Sequence, residues 1–243
     1  MAPSKDFTWL SAAFCVAIRG VVLVTTLFLK LIMQLFDVHT HRTNTSTHSI
    51  FSCSWKEDPA QTSSAYLSAS IHPWYLYAEN AFQQLSWIKT FVHHPSVIAI
   101  GEAGLDKTVS TPMELQKKVF RQMIALSEEK KLPLIIHAVK CQEELLAIQK
   151  EMHPTMPWII HGFRGKKELA QTYIRHHFYL SIGEHFQEKA LCAIPLNKLL
   201  IETDESQKNI RDIYAAIAQK YDISIEELAR QVYQNVQSTF FTP

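Results

Sequence analysis

The sequence predicts an α/β fold, a single (β/α)8 barrel, and three observations carry that expectation. Short apolar runs rich in β-branched and aromatic residues recur eight times. Segments of helical period lie between most of them. The chain of 243 residues, 47% hydrophobic and 19% charged, is long enough to bury one large core and shows no linker, repeat or low-complexity tract. An open doubly wound sheet is the alternative arrangement of the same elements.

In order, the expected strands are Leu35 to His39, Ser49 to Cys53, Ala65 to Ile71, Val97 to Glu102, Pro133 to His137, Trp158 to His161, Phe178 to Ile182 and Lys198 to Thr203. Most are continuously apolar rather than alternating, as parallel strands covered on both faces must be. Helices are expected from Ala81 to Val92, Glu114 to Lys130, Gln142 to Glu151, Lys166 to His176, Ile210 to Lys220 and Ile225 to Phe240. The second carries Leu115, Val119, Met123 and Leu126 on one stripe with charges opposite. Ser224 and Glu227 form a capping box for the last.

Residues 1–32 differ from the rest. Phe7 to Ile32 is nearly all apolar, broken by Arg19-Gly20 and Lys30. A transmembrane helix of about 20 residues would hold Arg19 at its centre at a cost of a few kcal/mol. A signal peptide would lack a positive start, because of Asp6, and an A-x-A site. Translation from Met33 is the favoured reading, since a buried strand begins two residues later. On it, residues 1–32 are an apolar extension, residues 33–243 are the working domain, and the protein is cytoplasmic; a retained segment would make it membrane-anchored.

Charge and glycine usage exclude whole classes of function. Lys+Arg 24 against Asp+Glu 23 leaves a formal charge of +1, so no broad basic field exists for nonspecific nucleic-acid or membrane binding. With six glycines and neither G-x-G-x-x-G nor G-x-x-x-x-G-K-[ST], the nucleotide-cradling loops are missing. The four cysteines are scattered without metal or disulfide spacing and read as small apolar residues in a reducing compartment.

Twelve histidines stand against that scarcity. In a parallel barrel the strand C-termini open on one face, and there the chemistry collects. Five expected strands finish in a metal-type ligand: His39 with His41, Glu102, His137, His161 and Asp204. His39 and His41 point the same way in an extended segment and can grip one ion together. Four imidazoles and two carboxylates exceed what one tetrahedral catalytic ion uses, so two ions sharing a carboxylate are expected. His48, His93, His94, His153, His176 and His177 read as ordinary surface or packing residues.

The ordered set FDVHTH, IHPW, IGEAGLD, PLIIH, IHGFRG and LLIETD resembles the TatD family of metal-dependent deoxyribonucleases, within the amidohydrolase-like TIM barrels, from Leu35 to about Phe241. The resemblance implies a metallo-dependent hydrolase that cleaves phosphodiester bonds at DNA ends with two divalent ions, zinc, manganese or magnesium. It implies His39, His41, Glu102, His137, His161 and Asp204 as ligands, with Glu102 the bridge and Asp204 also orienting or deprotonating the attacking water. Ions in such a site lower the pKa of water and neutralise charge on the phosphate, so DNA is held locally without a basic surface.

Around these lie further expectations. Arg164 would bind phosphate through its fork. His72 and Trp74 would meet a base at the rim. Asp106 would hold a ligand in place. Family members often carry a small hydroxyl residue where Arg164 stands and an aromatic where Lys107 stands, which leaves the substrate contacts of this chain open. No role is assigned to Glu184 or Glu205. Two competing functions are an amidohydrolase-like esterase, lactonase or amidase, and a metal-stabilised barrel without catalysis. Glu102, where some amidohydrolase-like relatives use a modified lysine, favours the TatD pattern. A phosphatase of the H-x-H type would close with D-x-H, which Asp204-Glu205-Ser206 lacks.

Overall fold

The structure, a computed structural model, describes residues 35–46 and 48–241. The apolar segment 1–32 and its competing readings, Met33 and Cys15 lie outside the described residues. Eight strands follow one another in a single sheet: β1 (Asp37–Thr40), β2 (Ser49–Cys53), β3 (Tyr66–Ile71), β4 (Val97–Asp106), β5 (Leu134–Val139), β6 (Trp158–Ile160), β7 (Tyr179–Ile182) and β8 (Leu199–Ile201). All seven neighbouring pairs are parallel. The barrel closes through a bridge between Thr40 and Asp204, with the Asp204 amide donating to His39 O (2.9 Å) and the His41 amide to Asp204 O (3.2 Å). The closed barrel holds and the open-sheet alternative falls.

The helices are α1 (Ala78–Phe91), α2 (Met113–Lys130), α3 (Gln142–Met152), α4 (Lys167–Arg175), the single turn α5 (Glu188–Leu191), α6 (Ile210–Tyr221) and α7 (Ile225–Val236), which runs on as a π-turn to Phe241. Each buries its apolar stripe on the sheet: Val119, Phe120, Met123 and Ile124 from α2, and Leu228, Val232 and Val236 from α7. The capping box at Ser224 and Glu227 forms as expected. Asn235 of α7 donates to Leu196 O and Leu199 O, fixing the entry to β8.

Asp37 ties β8 to β1 from inside. Its Oδ1 accepts from the Thr203 amide (2.9 Å) and its Oδ2 from Thr203 Oγ1 (2.6 Å). Burial outweighs those hydrogen bonds and pushes its carboxyl up to about 7. Folded chains therefore keep a proton that unfolded chains release near the ordinary carboxylate value. The stability this proton contributes is complete below about pH 4 and is lost as pH rises through about 7. Urea unfolding across that range should show Asp37→Asn removing this part of the slope, and Asp37→Ala, which strands the Thr203 amide, costing roughly 1–3 kcal/mol. Equal slopes in wild type and Asp37→Asn would contradict it.

The cysteines behave as their surroundings dictate. Burial pushes the Cys53 and Cys141 thiols up to about 12, whereas Cys192 is exposed. At pH 8 only about one in 10,000 of the buried pair is thiolate. Iodoacetamide followed by peptide mass mapping should mark Cys192 and spare Cys53 and Cys141; comparable labelling of all three would contradict this packing.

Candidate metal centre

Glu102 is the point on which the site converges, and β4 is shaped to deliver it. The strand runs four residues past the end expected from its apolar run, so Glu102 lies within it rather than at its tip. Its register against β5 shifts between Ile100 and Ala103, an irregularity of the kind that re-aims a side chain. Gly101 and Gly104 have φ of 121° and 154°, and a Cβ on either would stand 2.2 Å or less from the Ile135 or His137 carbonyl oxygen. Only glycine lets β4 and β5 approach this closely, and that approach sets Glu102 beside His137.

Five imidazoles surround the buried Glu102 carboxylate. Oε1 lies 2.9 Å from His72 Nε2, 2.9 Å from His137 Nδ1 and 2.5 Å from His161 Nε2. Oε2 lies 3.3 Å from His39 Nε2 and 3.2 Å from His41 Nε2. Asp204 Oδ1 stands 3.8 Å from both His39 and His41. The two carboxylate oxygens thus face two different sets of nitrogen donors. Each of four triads, His39-Glu102-His161, His39-His41-Asp204, His72-Glu102-His137 and His161-Glu202-Asp204, offers donor atoms within 4.8 Å of one another.

The electrostatics follow from that crowding. Burial alone would raise the Glu102 pKa, but His161, His137 and His39 together hold it well below the carboxylate range. Burial likewise opposes the charge on His161, and is overcome by Glu102 and then Glu202, so its pKa sits well above the usual value. His41, half-exposed, is raised by Glu102 and Asp204 against its burial. At His72 burial prevails over Glu102 and favours the neutral ring. Both ring nitrogens of His39, Nδ1 of His161 and Oε2 of Glu202 are buried without a hydrogen-bond partner. Buried polar atoms are rarely left so. Lone-pair donors gathered round a shared carboxylate with such orphaned atoms fit a divalent cation.

The six expected ligands are brought together, and two residues join them from unexpected places. His72, expected at the rim, is buried between Glu102 and His137, because the turn beginning at Pro73 folds its ring inward and its Nδ1 accepts the Trp74 amide (3.1 Å). Glu202 was missed: fully buried, it stands 3.6 Å from His161 Nδ1 and accepts the Gly162 amide at 2.5 Å. The signal was present in LLIETD, where Glu202 and Asp204 are two residues apart, the spacing that sends strand side chains to one side.

Asp106 sits behind His137, its Oδ2 accepting from Trp74 Nε1 (2.8 Å) and lying 3.0 Å from His137 Nε2. These bonds and two from Thr108 overcome its burial and bring its pKa to about 2. Trp74 remains at the rim, 46% exposed. Arg164 is exposed, with Nη2 3.8 Å from Asp204 Oδ2. Lys107 pairs with Glu144 (2.7 Å), away from the centre. Glu184 accepts from Ser206 and pairs with Lys208, which ties two loops together, and Glu205 is exposed at the mouth. The cluster opens into a cavity of about 760 Å³ at the C-terminal end of the barrel.

Comparison with known proteins places the chain. The TatD related DNase family matches residues 40–241. An uncharacterized metal-dependent hydrolase of Bacillus subtilis, YabD, is 33% identical over 180 residues, which cover 65% of this chain and 71% of that one. The 3'-5' ssDNA/RNA exonuclease TatD of Escherichia coli is 30% identical over 170 residues, 63% of this chain and 62% of its own. The solved structure of YJJV, a TatD homologue from Escherichia coli, shares the fold with a TM-score of 0.73 at 19% identity, over 87% of this chain and all of that one. Among the described residues no helix is long and apolar enough to cross a membrane. From the end of the first strand to the last helical turn, therefore, the chain belongs to the TatD related DNase family of metal-dependent hydrolases acting on phosphodiester bonds.

Proposed function

We propose that residues 33–243 form a cytoplasmic phosphodiesterase that releases nucleotides from the ends of single-stranded DNA, holding two divalent ions through His39, His41, Glu102, His137, His161 and Asp204. The observation that carries the reading is the division of Glu102, with one oxygen facing His72, His137 and His161 and the other facing His39 and His41. A carboxylate so placed suits a bridge between two cations. Zinc, manganese or magnesium, when bound there, would supply Lewis acidity and favour deprotonation of water at neutral pH.

The remaining work falls to the chain's own groups. Asp204, partly exposed at the mouth, orients the attacking water and takes its proton. Arg164, beside it, offers a guanidinium fork to the phosphate. His72 presents a neutral ring beside Glu102, and Trp74 a base-sized surface above it. Asp106 holds His137 in one orientation, and Glu202 stands behind His161 in the same capacity. The names of the Escherichia coli and Bacillus subtilis relatives support this reading.

A screen of chelated and metal-reloaded protein tests it, on labelled single-stranded DNA and RNA ends and on small carboxylic esters and lactones. Metal-dependent release of nucleotides is expected. Hydrolysis of esters with every nucleic-acid end left intact would overturn the proposal in favour of the esterase alternative.

A further inference from the structure

A hollow of about 660 Å³ lies between the ends of α3 and α4, a size within the range of small-molecule sites. Both helices run back from the mouth of the barrel, so His153, which precedes β6, and His176 and His177, which precede β7, stand at the N-terminal end of the strands. The metal centre lies at the other end. In barrels of this kind the N-terminal face serves stability rather than chemistry, and unpaired charge collected there calls for another account.

Five basic side chains line the hollow, Lys150, His153, Arg175, His176 and His177, and no acid does. All five are exposed. The nearby acid Glu151 is held by Arg121 at 2.6 Å, and among the described residues no carboxylate lies within ion-pair distance of any of the five. Arg175 Nη2 donates to Thr172 Oγ1 (3.0 Å), which leaves the rest of its fork without a partner among those residues.

Helix C-termini favour cations, and Lys150 and Arg175, in the last turns of α3 and α4, meet that preference. The three imidazoles exceed it. Carbonyls at both helix ends already have donors: Gln149 O accepts the His153 amide, Ile174 O accepts the His177 amide, and His176 O accepts Gln149 Nε2 at 3.0 Å. The last of these bonds ties one helix end to the other, so the hollow is set before any ligand arrives. His153 and His177 hold left-handed backbone, with φ of 48° and 67°. Each turns the chain sharply beyond its helix, and both side chains line the hollow.

We propose that this hollow is a second binding site, separate from the metal centre, for a compact polyanion with adjacent phosphate groups, an inorganic or nucleoside oligophosphate. Arg175 offers its fork to one phosphate, Lys150 a point charge to another, and the imidazoles offer N–H donors to the oxygens between them. A single carboxylate carries too little charge for this array. An extended acidic peptide needs a longer groove than the space between two helix ends.

Isothermal titration calorimetry on the full chain tests this, first stripped of metal so that bound ions do not compete for phosphate, then metal-loaded. The probes are inorganic tripolyphosphate, ATP and a ten-residue oligoglutamate. Wild type should bind both phosphates in the hollow and keep that binding when metal is loaded; equal affinities assign the site to the phosphate chain, and tighter ATP adds a contact to the nucleoside. Arg175→Gln and Lys150→Gln should each weaken tripolyphosphate by about ten-fold, and the double variant by about 100-fold. His153→Asn with His177→Asn, which suits the left-handed backbone, should weaken it by about ten-fold. Lys118→Gln, an equal change of charge on an exposed position of α2 outside the hollow, should change nothing. Tripolyphosphate at about 100 times its Kd should raise the melting temperature of wild type and not of the Arg175→Gln, Lys150→Gln variant. That variant should cleave methyl p-nitrophenyl phosphate as wild type does, because it leaves the metal centre untouched. No binding of either phosphate by wild type, unchanged affinity in both double variants, equal weakening by Lys118→Gln, or tighter binding of the oligoglutamate than of either phosphate would overturn the proposal.

Discussion

Glu102→Gln should lower kcat/KM on a single-stranded DNA end by about 1,000-fold or more while the chain still folds. Substitution by an isosteric amide keeps the volume of a fully buried side chain but replaces one acceptor oxygen by a donor NH2. Whichever way the amide turns, it fails either the His72, His137 and His161 side or the His39 and His41 side. A loss of several kcal/mol of charge stabilisation in the transition state corresponds to at least three factors of ten at ~1.36 kcal/mol each. Circular dichroism of the metal-stripped variant should match wild type, because a neutral amide is cheaper to bury than a carboxylate. Activity within ten-fold of wild type would remove Glu102 from the centre of the mechanism.

Asp204→Asn is the second large effect, expected to reduce kcat by about 100- to 10,000-fold with a smaller change in KM, the size usual for removing a general base. The backbone offers a control. Asp204 has φ of 55°, in the left-handed region that Asn and Asp tolerate, and its amide and carbonyl bridge β8 to β1 through His39 and His41. Asparagine keeps that geometry, whereas Asp204→Ala places an ill-suited residue there at a cost of roughly 1 kcal/mol. Thermal melts should therefore separate the two variants, with Ala lowered and Asn close to wild type, while both lose turnover. Equal turnover in wild type and Asp204→Asn would assign the proton to another group.

The barrel was legible because its strands are covered on both sides and so spell themselves as apolar runs; β2 matches its expected bounds at both ends. The reading shortened β4 at Glu102, where the apolar run meets a charge, although the sheet continues through Asp106. Polarity marked the chemistry there and not the end of the strand. The six proposed ligand positions were legible as ionisable residues at the ends of apolar runs, a pattern packing alone seldom produces. His72 was legible as a site residue but not in its depth, because a turn starting at Pro73 decides which way the ring points. Glu202 and Asp37 escaped notice because Asp37 opens an apolar strand and Glu202 directly follows one, each two residues from a more evident ligand type. Their partners, His161 with Gly162 just after β6 and Thr203 just after β8, come from segments distant in sequence.

The most direct test of the central claim follows nucleotide release from a labelled single strand as divalent ion is returned to metal-stripped protein, for wild type beside Glu102→Gln. The account predicts no release before ion is added, recovery as manganese or zinc is titrated into wild type, and no recovery in Glu102→Gln at any concentration that saturates wild type. Release that survives stripping, or that returns equally in Glu102→Gln, would contradict it.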